Sequence, residues 1–167
     1  MVLRHAPSLE QVFRQLCRRF IIKGVGTVSE IEVEVQAVAV DQSGNHMVML
    51  GDKEKRKLLP IVIGPVEARA IWMNLQGITP ERPLTHNLLK HLLDLVGAKV
   101  QKVVITDIKD GTFYALLHVE YGGEVHKVDA RPSDAIALAL AFDAPVYIDL
   151  RLIEFTLDPA DLNIQHN

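Results

Sequence analysis

The side chains of this sequence that could do chemistry gather where helices should begin. Two arginines directly precede prolines, Arg82-Pro83 and Arg131-Pro132. Each proline is placed to open a helix, where its missing N–H has no intrahelical partner anyway. A helix N-terminus carries roughly half a positive charge, so an arginine beside it needs an anion to hold it. Two kinds of anion answer. One is a structural carboxylate from Glu67, Glu81, Asp129 or Asp134. The other is a ligand phosphate, cradled by a helix end and a guanidinium. Thr85 and His86 follow Arg82 in what would be a first turn, where an imidazole can serve as base, metal ligand or hydrogen-bond donor. Ser133 and Asp134 open a third helix, either as cap and dipole complement or as the lining of a cleft. Glu67, near the third position of its own helix, has the same two readings. Glu67, Asp129 and Asp134 together are the oxygen donors that a hard divalent cation such as magnesium or manganese would take.

Other chemistries find little support. His86 and His91 are five residues apart, about 140° around a helix, so they do not form an i, i+4 metal grip. The single cysteine, Cys17, excludes a disulfide framework and a cysteine zinc site. There is no glycine-rich phosphate loop, no GxSxG and no CxxC. Aromatics make up 5% of the chain and the formal net charge is −3, which gives few platforms for base stacking and no bulk attraction to nucleic acid. The basic run Lys53 to Lys57 reads first as a solvated hairpin loop and second as a phosphate-backbone contact.

The elements that must position these residues follow from periodicity. Residues 1–29 carry five bases and one acid, with Leu9, Val12, Phe13, Leu16 and Phe20 at helical spacing. This basic amphipathic extension, with a linker over 23–29, reads as a helix docked on the domain or on a second subunit, or as a transit peptide. The domain is placed at 30–155 and a C-terminal tail at 156–167. Alternation of Ile31, Val33 and Val35 with Glu32 and Glu34 predicts a strand, followed by strands at 46–50 and 58–63. Pro60 confines the third of these to an edge or a bulge. Helices are predicted from Pro65 to Gly77, Pro83 to Val96 and Pro132 to Phe142. Asp110-Gly111 and Gly122-Gly123 predict tight hairpins among three strands at 98–108, 112–121 and 124–129, and Pro145 to Asp149 forms a last strand. The fold class is α+β: a mixed, largely antiparallel sheet with three packed helices plus the N-terminal amphipathic helix. The third helix is apolar on every face from Ala135 to Phe142 and should be buried. That run is only eight residues long, so no membrane span is expected and a cytoplasmic location is.

Several ordered blocks resemble the bifunctional nuclease domain family: Leu59-Pro60-Ile61-Val62-Ile63-Gly64 with Glu67-Ala68; Arg82-Pro83-Leu84-Thr85-His86; Asp110-Gly111-Thr112-Phe113-Tyr114-Ala115; and Asp129-Ala130-Arg131-Pro132-Ser133-Asp134-Ala135-Ile136-Ala137-Leu138. The resemblance spans about residues 30 to 155 and implies DNase and RNase activity, a compact α+β fold and subunits that associate, a homodimer first. It carries Glu67, Arg82, Thr85, His86, Asp129, Arg131, Ser133 and Asp134 over as the polar set. One departure is Asn87, where the family often has Asp. On this reading the chain is a phosphodiesterase of RNA or DNA, with Glu67, Asp129 and Asp134 on a divalent metal. Arg82 and Arg131 would clamp the phosphate, His86 would act as base or acid, and Thr85 and Ser133 would orient phosphate or water. The alternative is a non-catalytic regulatory module that binds an anionic small molecule or protein partner through Arg82 and Arg131. A third reading makes the same network purely structural.

Overall fold

A computed structural model describes residues 29–54 and 56–161. The predicted N-terminal helix and the end of the tail lie outside the described residues. In chain order the elements are β1 (Glu30–Val40), β2 (His46–Gly51), β3 (Leu58–Ile63), α1 (Pro65–Leu75), α2 (Thr85–Leu95), β4 (Lys99–Lys109), β5 (Thr112–Tyr121), β6 (Glu124–Ala130), α3 (Pro132–Ala141) and β7 (Val146–Asp149), followed by two short 3-10 turns. The order matches the α+β expectation.

The seven strands form one sheet in the order β3-β2-β1-β7-β4-β5-β6. All pairings are antiparallel except β4 with β7. Two meanders, β1-β2-β3 and β4-β5-β6, are thus joined through β7. Both predicted hairpins form. Asp110 and Gly111 have φ of 50° and 75°, and Gly122 and Gly123 have 63° and 83°. Positive φ at both central residues matches the twist of the flanking strands. Pro60 does fall in an edge strand, β3. The loop before β3 holds Arg56 on Asp52 at 3.1 Å, in keeping with a solvated turn.

α3 is the centre of the helical layer. Ala135, Ile136, Ala137 and Ala139 are fully buried against β4 and β5. α1 packs on α3, β1 and β2, and α2 packs on α3. Small side chains along α3 let both neighbours approach, so all three helix N-termini meet at one end of the layer. α2 departs from expectation at its start. Leu84 is its N-cap and Thr85 its first helical residue, so Pro83 stands before the helix rather than at its first position. The Asn87 side chain accepts a hydrogen bond from the Leu84 N–H at 3.1 Å and fixes that start. An amide oxygen is sufficient for this contact.

Candidate functional site

α1 begins after Gly64 with Pro65 at its first position, which sets Glu67 one turn in. α3 begins after Arg131, its N-cap, with Pro132 first and Asp134 in its opening turn. α2 turns His86 inward. These three starts frame an open cleft of about 540 Å³, lined among others by Glu67, Arg69, Thr85, His86, Arg131 and Asp134.

Arg131 knits the cleft together. Its Nε donates to Asp134 Oδ2 at 2.6 Å, and its Nη2 donates to Asp134 Oδ1 at 3.0 Å and to Glu67 Oε1 at 2.9 Å. The anion that an arginine at this helix end requires is therefore a pair of structural carboxylates. Nη1 stays free of these bonds, and the side chain is 66% exposed. Behind the arginine, His86 Nε2 lies 3.0 Å from Asp134 Oδ1, with the imidazole side chain only 9% exposed. The geometry suits an Nε2–H donating to the carboxylate, which leaves a lone pair on Nδ1 of the neutral ring. Burial raises the Asp134 carboxyl, but hydrogen bonds from Arg131 and His86 outweigh it and hold the group below the usual aspartate value. The same contacts, with Asp134 first and Glu67 second, push the Arg131 guanidinium still further above its ordinary value.

Glu67, Thr85, His86, Arg131 and Asp134 thus meet as expected, and three other expected residues do not join them. Arg82 is exposed in the bend before α2 and does not line the cleft, because the helix starts two residues later than the proline implied. Ser133 is 6% exposed and outside the lining, because α3 is buried on every side even at its second residue. Asp129 pairs with Leu116, and therefore stands on the opposite face of the sheet from Ala130, which pairs with buried Ala115. The expected cation set of Glu67, Asp129 and Asp134 is consequently not assembled. Glu67 and Asp134 are bonded to Arg131, and among the described residues no three His, Cys, Asp or Glu side chains are grouped to hold a metal.

Arg69 was not picked out by the sequence reasoning. It is exposed on the cleft wall and has no ion-pair partner among the described residues. It lies one turn beyond Val66 on a face of α1 that lines the cleft, and no spacing to Glu67, two positions before it, singles it out.

The bifunctional nuclease domain matches residues 48–157, more than half of the chain, and the protein belongs to that family. An uncharacterised protein of Mycobacterium tuberculosis is 41% identical over 119 residues, covering 71% of each chain. Bifunctional nuclease 1 of Oryza sativa subsp. indica is 27% identical over 116 residues, which is 67% of this chain but 35% of the rice protein. Bifunctional nuclease 1 of Arabidopsis thaliana is 26% identical over 95 residues, or 55% of this chain and 29% of the relative. This chain therefore corresponds to about a third of each plant protein. Among the described residues no helix is long and apolar enough to cross a membrane.

Proposed function

We propose that the protein hydrolyses phosphodiester bonds of RNA and DNA in the cleft, with His86 as general base. The observation that carries this reading is the pairing of the buried His86 imidazole with the half-buried Asp134 at the wall of a cleft whose rim carries Arg131 and Arg69, in a member of the bifunctional nuclease domain family. Asp134 fixes the imidazole so that Nδ1 takes the proton of an attacking water. Water oxygen bonds to phosphorus, the bond from phosphorus to the leaving sugar oxygen breaks, and that oxygen takes a proton from solvent. The free Nη1 of Arg131 and the Arg69 guanidinium hold the phosphate oxygens as charge grows on them. Thr85, exposed at the start of α2, donates a hydroxyl to phosphate or water. No step is routed through a metal, since the residues present do not build its site.

The test is cleavage of single-stranded RNA and DNA by purified protein with magnesium, with manganese and with EDTA, beside a folded His86→Ala variant prepared identically. Cleavage that persists in EDTA and falls on the order of 10² or more in the variant is the expected result. Cleavage lost in EDTA would assign the chemistry to a cation that enters with substrate. Equal cleavage by both proteins would remove His86 from the mechanism. Absence of cleavage by either, with an anion held by Arg69 and Arg131, would make the cleft a regulatory receptor.

A further inference from the structure

The chain has one tryptophan, Trp72, and packing does not account for its place. α1 meets the core through Ala68, Ala70, Ile71 and Met73. Trp72 stands between the last two of these and points out from the helix, 47% exposed. A large ring left half in water forgoes the stabilisation that burial would contribute. What it keeps is a flat aromatic face that another ring can cover.

Its position ties it to the cleft. Pro65, Arg69 and Trp72 lie at i, i+4 and i+7 of α1 and all three are exposed, so they form one stripe along the helix. The first two line the cleft. Trp72 continues the stripe outside it, about 4.5 Å further along the helix axis than Arg69. Each Cα–Cβ bond of a helix tilts toward the N-terminus, so Trp72 is set back over the turn of Arg69, on the side of the cleft. Residues three apart on a helix are neighbours on its surface, which puts the indole beside the guanidinium that would hold phosphate.

Resting on the reading of the cleft as a nucleic-acid site, we propose that Trp72 is a stacking subsite for the base that adjoins the phosphate held by Arg69. A charge next to an aromatic platform is the pairing that grips a nucleotide, the cation taking its phosphate and the ring its base. The chain needs such a local device. Its net charge of −3 gives no bulk attraction to nucleic acid, and aromatics are only 5% of its residues. Every base has a π-face, so the subsite takes ribose and deoxyribose strands alike and imposes little sequence preference. It requires a base that is free of its own stack.

Because Trp72 is the sole tryptophan, its fluorescence reports this contact alone. Oligothymidylate titrated into the full chain, in a His86→Ala background to spare the strand, should quench it to saturation. Trp72→Ala and Trp72→Leu should each weaken binding on the order of tenfold while Trp72→Phe stays within about threefold of the parent, with native circular dichroism throughout. The salt slope should not change in any of them, since no charge is removed. A single abasic residue moved along the strand should weaken binding at one position by as much as Trp72→Ala does, and should add nothing in that variant. Binding without quenching, leucine serving as well as phenylalanine, or abasic and alanine losses that simply add would each overturn the subsite. Cleavage at the parent rate by Trp72→Leu in the His86 protein would overturn it and leave hydrolysis in the cleft standing. Quenching and the phenylalanine rescue without any cleavage would keep the subsite and remove hydrolysis. A strand that neither quenches nor is cut would remove both, and would turn the exposed indole toward an apolar protein partner.

Discussion

Replacing Asp134 by asparagine and by alanine separates its two partners. Asparagine keeps the volume and offers His86 Nε2 an oxygen, but its amide turns a donor toward Arg131. That guanidinium is 66% exposed, so water takes over its bonds, and an exposed ion pair contributes only about 0–1 kcal/mol. Asp134→Asn should therefore cost about 1 kcal/mol. Alanine loses the same pair and also leaves the ring N–H of His86, in a side chain only 9% exposed, without an acceptor. An unsatisfied buried donor costs about 1–3 kcal/mol, so Asp134→Ala should cost about 2–4 kcal/mol in all. Urea unfolding at pH 7, fitted with a common slope, measures both. Repeating the pair in a His86→Ala background removes the orphaned donor, and the asparagine–alanine gap should shrink to about 0.5 kcal/mol or less. A gap that is absent when His86 is present, or that survives its removal, would refute the assignment of Asp134 as the partner of the buried imidazole.

Four further outcomes are expected. A Cβ added at Gly64 would collide with the Glu67 carboxylate, yet φ there is −74°, so Gly64→Ala should change stability by no more than about 1 kcal/mol while lowering cleavage as far as Glu67→Ala does, in steady-state assays. Arg69→Ala should lower kcat for oligonucleotides as well as weaken binding, and reduce the salt slope of binding by about one. Because Asp134 is held below 3.8 in the fold, the unfolded chain takes up its proton first as pH falls. Its contribution is present above 3.8 and lost as pH drops through the lower folded value, so in that acid range the urea midpoint of the wild type should fall more steeply than that of Asp134→Asn. Burial, then Lys102 and Lys127, push His118 below 6.5, so stability should decline from pH 6.5 down through the folded value, and His118→Gln should flatten that limb.

The elements of the fold were legible because each is signalled locally. Gly122-Gly123 sets its hairpin, Pro60 sets its edge, and the unbroken apolar run of α3 marks the helix that lies inside. The position of β7 was not legible, since its four residues pair with strands more than forty and more than a hundred residues away, and nothing in Val146–Asp149 names either partner. At the site, Glu67, His86, Arg131 and Asp134 were found because a polar residue at the start of a buried helix must be satisfied. Arg82 was misplaced for the opposite reason: a proline marks a helix start only to within a residue or two. Asp129 and Arg131 share a parity that would put them on one face of a continued strand, but the strand ends at Ala130 and the chain turns into α3 at Arg131. Ser133 shows that a polar residue beside a site can still be packing.

The central strand of the sheet is also the last of the seven described strands to be synthesised. Each three-strand meander joins neighbours in sequence and can zip up from short-range contacts alone. β1 and β4 can meet only through β7, so the hydrogen-bonded ladder stays in two halves until Asp149 has left the ribosome. Truncation before Val146 would leave two half-sheets with no strand between them, joined through the packing of α1 on α3, and those halves would expose Val33, Val103 and Ile105, which are buried in the finished molecule. The closing of this fold is a single late event, placed after both meanders by strand order alone.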